Sequence, residues 1–129
     1  MAHLAASWSK DPSTKVGAVL VDSKHRVISL GFNGYPRGVD DAELPRERKL
    51  LRTIHAEENA ILFAQGSLEG STAYVTHHPC AGCAAKLVQK GVARVVVSGS
   101  INDRWADHVA EARMMFEEAG VEVVHINSD

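Results

Sequence analysis

Two short clusters hold the residues best suited to chemistry. His55-Ala56-Glu57 runs into Glu58-Asn59-Ala60-Ile61, and Pro79-Cys80-Ala81-Gly82-Cys83 carries both cysteines of the chain. Together they offer one imidazole, two thiols and a spare carboxylate. Zinc takes His nitrogen and Cys sulfur in a tetrahedral shell, and a catalytic site keeps the fourth position for water. The metal lowers the pKa of that water towards neutrality, and a carboxylate that is not a ligand can then move protons. His55, Cys80 and Cys83 are therefore the candidate ligands of one Zn2+ per chain, and Glu57 is the candidate catalytic proton carrier. A lone C-x-x-C can also be structural or redox-active. A structural zinc usually has four protein ligands, and the chain has no third cysteine.

The spacing dictates where these residues must sit. Cys80 and Cys83 are three apart and share one face of a helix. Pro79 favours an extended entry and a helix that starts at the cysteine pair. His55 and Glu57 are two apart, so in mid-helix they would point to nearly opposite sides. Both reach one metal only near a helix end. Both clusters are thus predicted at helix N-termini, where the macrodipole favours thiolates. Glu58, next to Glu57, faces elsewhere.

The 129 residues predict one domain over 1–129, with enough chain for a core without disulfide staples. The apolar share of 45% and charged share of 23% are those of a soluble globule. A net charge of -2 argues against a nucleic-acid partner and leaves room for a small anionic substrate. With both cysteines engaged, a reducing compartment is expected. Met1 to Trp8 lacks the pattern of a secretion signal, and no apolar run reaches the length of a membrane span. These features predict a cytoplasmic protein, or one acting in host cytoplasm if viral, with no membrane partner.

The remaining pattern supplies the scaffold. Residues 2–9 predict a short helix, broken at Lys10 to Lys15. Val16–Val21 and Arg26–Phe32 read as a hairpin. Gly17 inside the first strand marks the close approach of a ligand or another backbone. Gly31 to Gly38 reads as a shaped loop within a long connection, of the kind that is often functional. Residues 45–52 form a possible short helix whose charges read as a solvated face. A helix over 55–65, ended by Gly66, has Ala56, Ala60, Phe63 and Ala64 as its apolar stripe. Strand 72–77, helix 80–90 and strand 92–98 follow, the last buried on both faces. Gly99 to Arg104 is a loop. Trp105, Val109, Ala112, Phe116 and Ala119 mark the final helix, and 121–125 the last strand. A hairpin followed by strand–helix alternation gives an α/β fold with a mixed sheet, whose third and fourth strands are parallel.

H-x-E followed by P-C-x-x-C is the signature of the zinc deaminases, and the chain resembles the cytidine deaminase superfamily. Within it, the chain is similar to the deoxycytidylate (dCMP) deaminases. The matching stretches are Ser9 to Ala18, Gly31-Phe32-Asn33-Gly34-Tyr35-Pro36-Arg37-Gly38, His55 to Ile61, Tyr74-Val75-Thr76, Pro79 to Ala84 and Ala119-Gly120-Val121. The resemblance implies a three-layer α/β/α sandwich around a five-stranded mixed sheet. It implies hydrolytic deamination of dCMP to dUMP, feeding dTTP synthesis, with His55, Cys80 and Cys83 on zinc and Glu57 as proton shuttle. Asn33 would bond the sugar, and the Ala18 backbone would meet the pyrimidine. Gly31, Asn33, Gly34, Tyr35 and Arg37 would form an effector loop for dCTP, the activator, and dTTP, the inhibitor, with Mg2+ accompanying the triphosphate. A homo-oligomer, commonly a hexamer, is implied as well. Gly99 to Trp105 departs from the family pattern where the phosphate end of the substrate is expected; Lys15 and Arg104 are the candidate phosphate ligands. Other substrates compete with dCMP: dCTP, a C5-modified dCMP or deoxycytidine. A tRNA adenosine is disfavoured by the charge. A catalytically silent nucleotide-binding protein would not need Glu57.

Overall fold

The computed structural model describes residues 1–12, 14–40, 43–99 and 106–126. Its elements are α1 (Ala2–Ser7), β1 (Gly17–Val21), β2 (Val27–Phe32), α2 (Arg46–Arg52), α3 (Ala56–Phe63), β3 (Thr72–Val75), α4 (Ala81–Gln89), β4 (Arg94–Val97), α5 (Ala106–Ala119) and β5 (Glu122–His125). The strands form one five-stranded mixed sheet in the order β2-β1-β3-β4-β5. β1 is antiparallel to both β2 and β3, while β3, β4 and β5 run parallel. The hairpin and the parallel β3–β4 pair are as the sequence predicts. Parallel neighbours need a crossover, and α4 and α5 provide the two.

Side-chain alternation splits the sheet into two unequal faces. Ala18, Leu20, Ala73, Val75, Val95 and Val97 point into the larger core, which meets Ala56 and Ala60 of α3, Ala84 and Leu87 of α4 and Phe116 of α5. Val19 and Val21 point the other way, where Ala2 of α1, Leu30 and Tyr74 complete a small cluster. Two strand glycines set the helices close to the sheet. A Cβ on Gly17 would run into the Ala2 carbonyl and Ala6 nitrogen of α1. A Cβ on Gly31 would run into the Ala56 carbonyl and Ala60 nitrogen of α3. The close partner of Gly17 is therefore a helix backbone.

Several boundaries and faces differ from expectation. Gly31 and Phe32, which the sequence placed in both the second strand and the loop, belong to β2, where Gly31 seats α3, so the loop starts beyond Phe32. The α3 helix stops at Phe63, because Ala64 is already extended. Phe63 is 61% exposed instead of inward, and the Arg37 guanidinium lies 5.9 Å from its ring centre. Partly buried Ile61 takes the inward position. Ala119 is exposed as well, beyond the last inward turn of α5. On α2 most charges are solvated as expected, but Lys49 pairs with Asp11 at 2.8 Å, the two side chains only 20% and 10% exposed. Arg104 and Trp105 lie outside the described residues. No helix among the described residues is long and apolar enough to cross a membrane.

Candidate active site

His55 and Cys80 are the N-cap residues of α3 and α4, both with extended backbone. An extended N-cap points its side chain back across the first turn. This lets His55 converge with residues that a mid-helix position would hold away from it. His55 Nδ1 lies 3.2 Å from Cys83 Sγ and 3.4 Å from Cys80 Sγ. The three ligand atoms all fall within 4.8 Å of one another. A tetrahedral zinc with ordinary bond lengths separates nitrogen and sulfur ligands by roughly 3.5 Å, so the donor set fits that metal in type and spacing. Cys83 is buried and Cys80 and His55 are half-buried.

Glu57 sits one turn-step inside α3 and is only 5% exposed. Burial pushes its carboxyl up to about 7. A hydrogen bond from the Cys83 thiol pulls Cys80 down and pushes Cys83 up. His55 is raised, first through its hydrogen bond with Cys80. Burial pushes Glu58 up, yet hydrogen bonds from the His55 backbone and from Lys86 leave it below the usual range.

The other predicted residues are distributed around this centre. Asn33 is buried, and both ends of its amide are engaged: Oδ1 accepts from the Val16 N–H and Nδ2 donates to the Thr14 carbonyl, each at 2.9 Å. Ala18 is fully buried and pairs with Gly31 and Val75. Gly34 forms an isolated bridge with Ile54. Tyr35 is half-buried, whereas Arg37 and Lys15 are exposed.

Four further residues stiffen the surroundings without having been assigned a role from sequence. Ser9 donates to the Asn33 carbonyl at 2.8 Å. Asp11 accepts from the Thr14 N–H at 3.0 Å and meets Lys49. Asn59 donates to the Phe32 carbonyl at 2.8 Å, tying α3 to the end of β2. Thr76 accepts the Gly17 N–H at 3.0 Å, tying the end of β3 to the start of β1. All four lie in stretches that match the family pattern, and Asn59 carried a second signal as an amide beside the inward positions Ala56 and Ala60.

The family model for the cytidine and deoxycytidylate deaminase zinc-binding region matches residues 1–99. That stretch carries all four central residues. The chain belongs to this deaminase family. It is 51% identical over 135 residues to the "uncharacterized deaminase in luxG 3'region" of Aliivibrio fischeri, covering 100% of this chain and 90% of that protein. It is 36% identical over 131 residues to the deoxycytidylate deaminase of Homo sapiens, covering 94% of this chain and 72% of the human one. Among solved structures, the dCMP deaminase of cyanophage S-TIM5 in complex with dCMP and dUMP superposes with a TM-score of 0.82 at 29% identity, over 97% of this chain and 90% of that one.

Proposed function

We propose that this deaminase hydrolyses dCMP to dUMP and ammonia. The observation that carries the reading is the convergence of His55 Nδ1 on both sulfurs beside a buried Glu57. The likeness to a deaminase solved with dCMP and dUMP supports the substrate. His55, Cys80 and Cys83 would hold one zinc ion per chain, which would supply the Lewis acidity that makes water a nucleophile near neutral pH. Glu57 takes a proton from the attacking water and delivers it to N3 of the cytosine as the C4–O bond forms. It then carries the second water proton to the C4 amine. The C4–N bond breaks, ammonia leaves and the ring becomes uracil. One water proton ends on N3 and the other on ammonia. Asn33 and Ala18 shape the pocket beside sugar and base, and Lys15 and Arg104 are the phosphate candidates.

The same reading extends to regulation by dCTP and dTTP. Gly34 exchanges two backbone hydrogen bonds with Ile54, at 3.1 and 2.8 Å, and Ile54 precedes His55. A triphosphate bound with Mg2+ at Gly34, Tyr35 and Arg37 would therefore act one residue from the candidate metal ligand.

The test is Glu57→Gln, with ammonia release measured on dCMP, deoxycytidine and dCTP. The variant should keep its zinc and lose at least about 100-fold in turnover, the lower range for a positioned acid–base group. The parent should prefer dCMP. Near-parental turnover by a zinc-loaded Glu57→Gln variant would remove Glu57 from the chemistry. A preference for deoxycytidine would overturn the nucleotide substrate and leave the deamination standing.

A further inference from the structure

We propose that Glu58 and Lys86 form a clamp that fixes the spacing between the two ligand-bearing helix starts, and so act as positioning residues for the metal triad. This rests on the zinc reading above. Glu58 Oε1 accepts the His55 N–H at 3.0 Å, which fastens the first turn of α3 to its own N-cap. Glu58 Oε2 lies 3.0 Å from Lys86 Nζ, three residues beyond Cys83 on α4. Lys86 Nζ in turn lies 3.5 Å from the Gly82 carbonyl, within the turn that joins Cys80 to Cys83. One carboxylate therefore holds the backbone of the imidazole ligand. One ammonium connects that carboxylate to the backbone between the two sulfur ligands. The same turn of α3 sends Glu57 into the core and Glu58 to the rim, so neighbouring carboxylates take separate tasks.

The two links differ in strength. The Lys86 side chain is 53% exposed and that of Glu58 26%, so the ion pair is largely screened and worth little by itself. The cap bond to His55 is the firmer link, since it satisfies a helix N-terminal donor with a charged acceptor. Outer partners of metal ligands typically change metal affinity 10–100-fold.

The experiment measures zinc affinity by competition with a chromophoric chelator on the purified full chain, alongside the melting temperature of the metal-free protein. Glu58→Ala removes both links and should weaken zinc binding about tenfold. Glu58→Gln keeps an acceptor for the His55 N–H and loses only the ion pair, so it should cost less than about fivefold. Lys86→Met should match Glu58→Gln, and the double variant should be no weaker than either single one, because the two residues act as one pair. A Glu58→Ala protein with parental zinc affinity and a lowered melting temperature would overturn the clamp, since Glu58 would then serve only the fold. Multiplying losses in the double variant would overturn the pairing. A parent protein that fails to bind zinc would overturn the zinc reading and the clamp with it.

Discussion

The helices α3 and α4 both begin at an extended N-cap residue, His55 with ψ 158° and Cys80 with ψ 171°, yet they use the first turn differently. N-cap and N3 side chains lie close together at a helix start, which is the geometry of the capping box. In α4 those two places hold Cys80 and Cys83, and both sulfurs turn towards the His55 imidazole. In α3 they hold His55 and Glu58, and only the imidazole turns inward while Glu58 closes the backbone. The freed N2 position of α3 carries Glu57 into the core. The difference shows how one local geometry brings three candidate ligands together and sets a buried carboxylate apart from them, from two short motifs. It also shows why α3 needs a firmer seat than α4, since it presents groups in two directions at once.

Removing the N3 group separates the two starts most sharply. Cys83→Ala takes away a candidate ligand, and zinc affinity should fall by more than about 100-fold, beyond the range of outer-partner changes. The equivalent change in α3, at Glu58, should cost only about a tenth as much. Chelator competition on both variants measures the contrast. Equal losses at Cys83 and Glu58 would erase the distinction between a ligand turn and a fastening turn.

The seat of α3 gives the next effect. Gly31→Ala drives a methyl into the Ala56 carbonyl and Ala60 nitrogen, backbone atoms that cannot step aside alone. Overpacking of this kind costs about 1–3 kcal/mol, and the shifted first turn of α3 should lower zinc affinity as well. Denaturant unfolding of the metal-free protein reads the first effect. An unchanged unfolding free energy would mean that α3 has slack on β2.

Gly31 also marks where sequence reasoning runs short. The candidate triad and Glu57 were legible because their logic is local: Cys80 and Cys83, three apart, share a helix face, and His55 and Glu57, two apart, can share a target only near a helix start. The parallel β4 strand was legible because its valines run without polar interruption. Gly31 read as both the end of the second strand and the head of a glycine-rich loop, and its part in seating α3 stayed hidden, since that helix arrives from 25 residues further along. Lys49 read as a solvated charge because its partner, Asp11, is 38 residues away. Phe63 fitted a helical stripe, but the helix ends there and the ring meets Arg37 instead of the core. Long-range pairings leave no spacing rule in the chain, so the sequence could name the chemistry more fully than the fittings that hold it.

The smallest effect tests the other side of the comparison. Gly82 occupies the N2 position of α4, the place that Glu57 holds in α3. A Cβ there would meet only Lys86 Nζ, at 3.9 Å, which is ordinary contact with the end of a flexible side chain. Glycine is therefore not required by the packing of α4, in contrast to the glycine beneath α3. Gly82→Ala should stabilise the protein by up to about 1 kcal/mol through helix propensity and a less flexible unfolded chain, with zinc affinity within twofold of the parent. Paired unfolding and chelator measurements on Gly82→Ala and Gly31→Ala should thus move stability in opposite directions. If Gly82→Ala instead loosened zinc as much as Gly31→Ala, the first turn of α4 would be as tightly fitted as that of α3, and a firmer seat could no longer be tied to presenting groups in two directions.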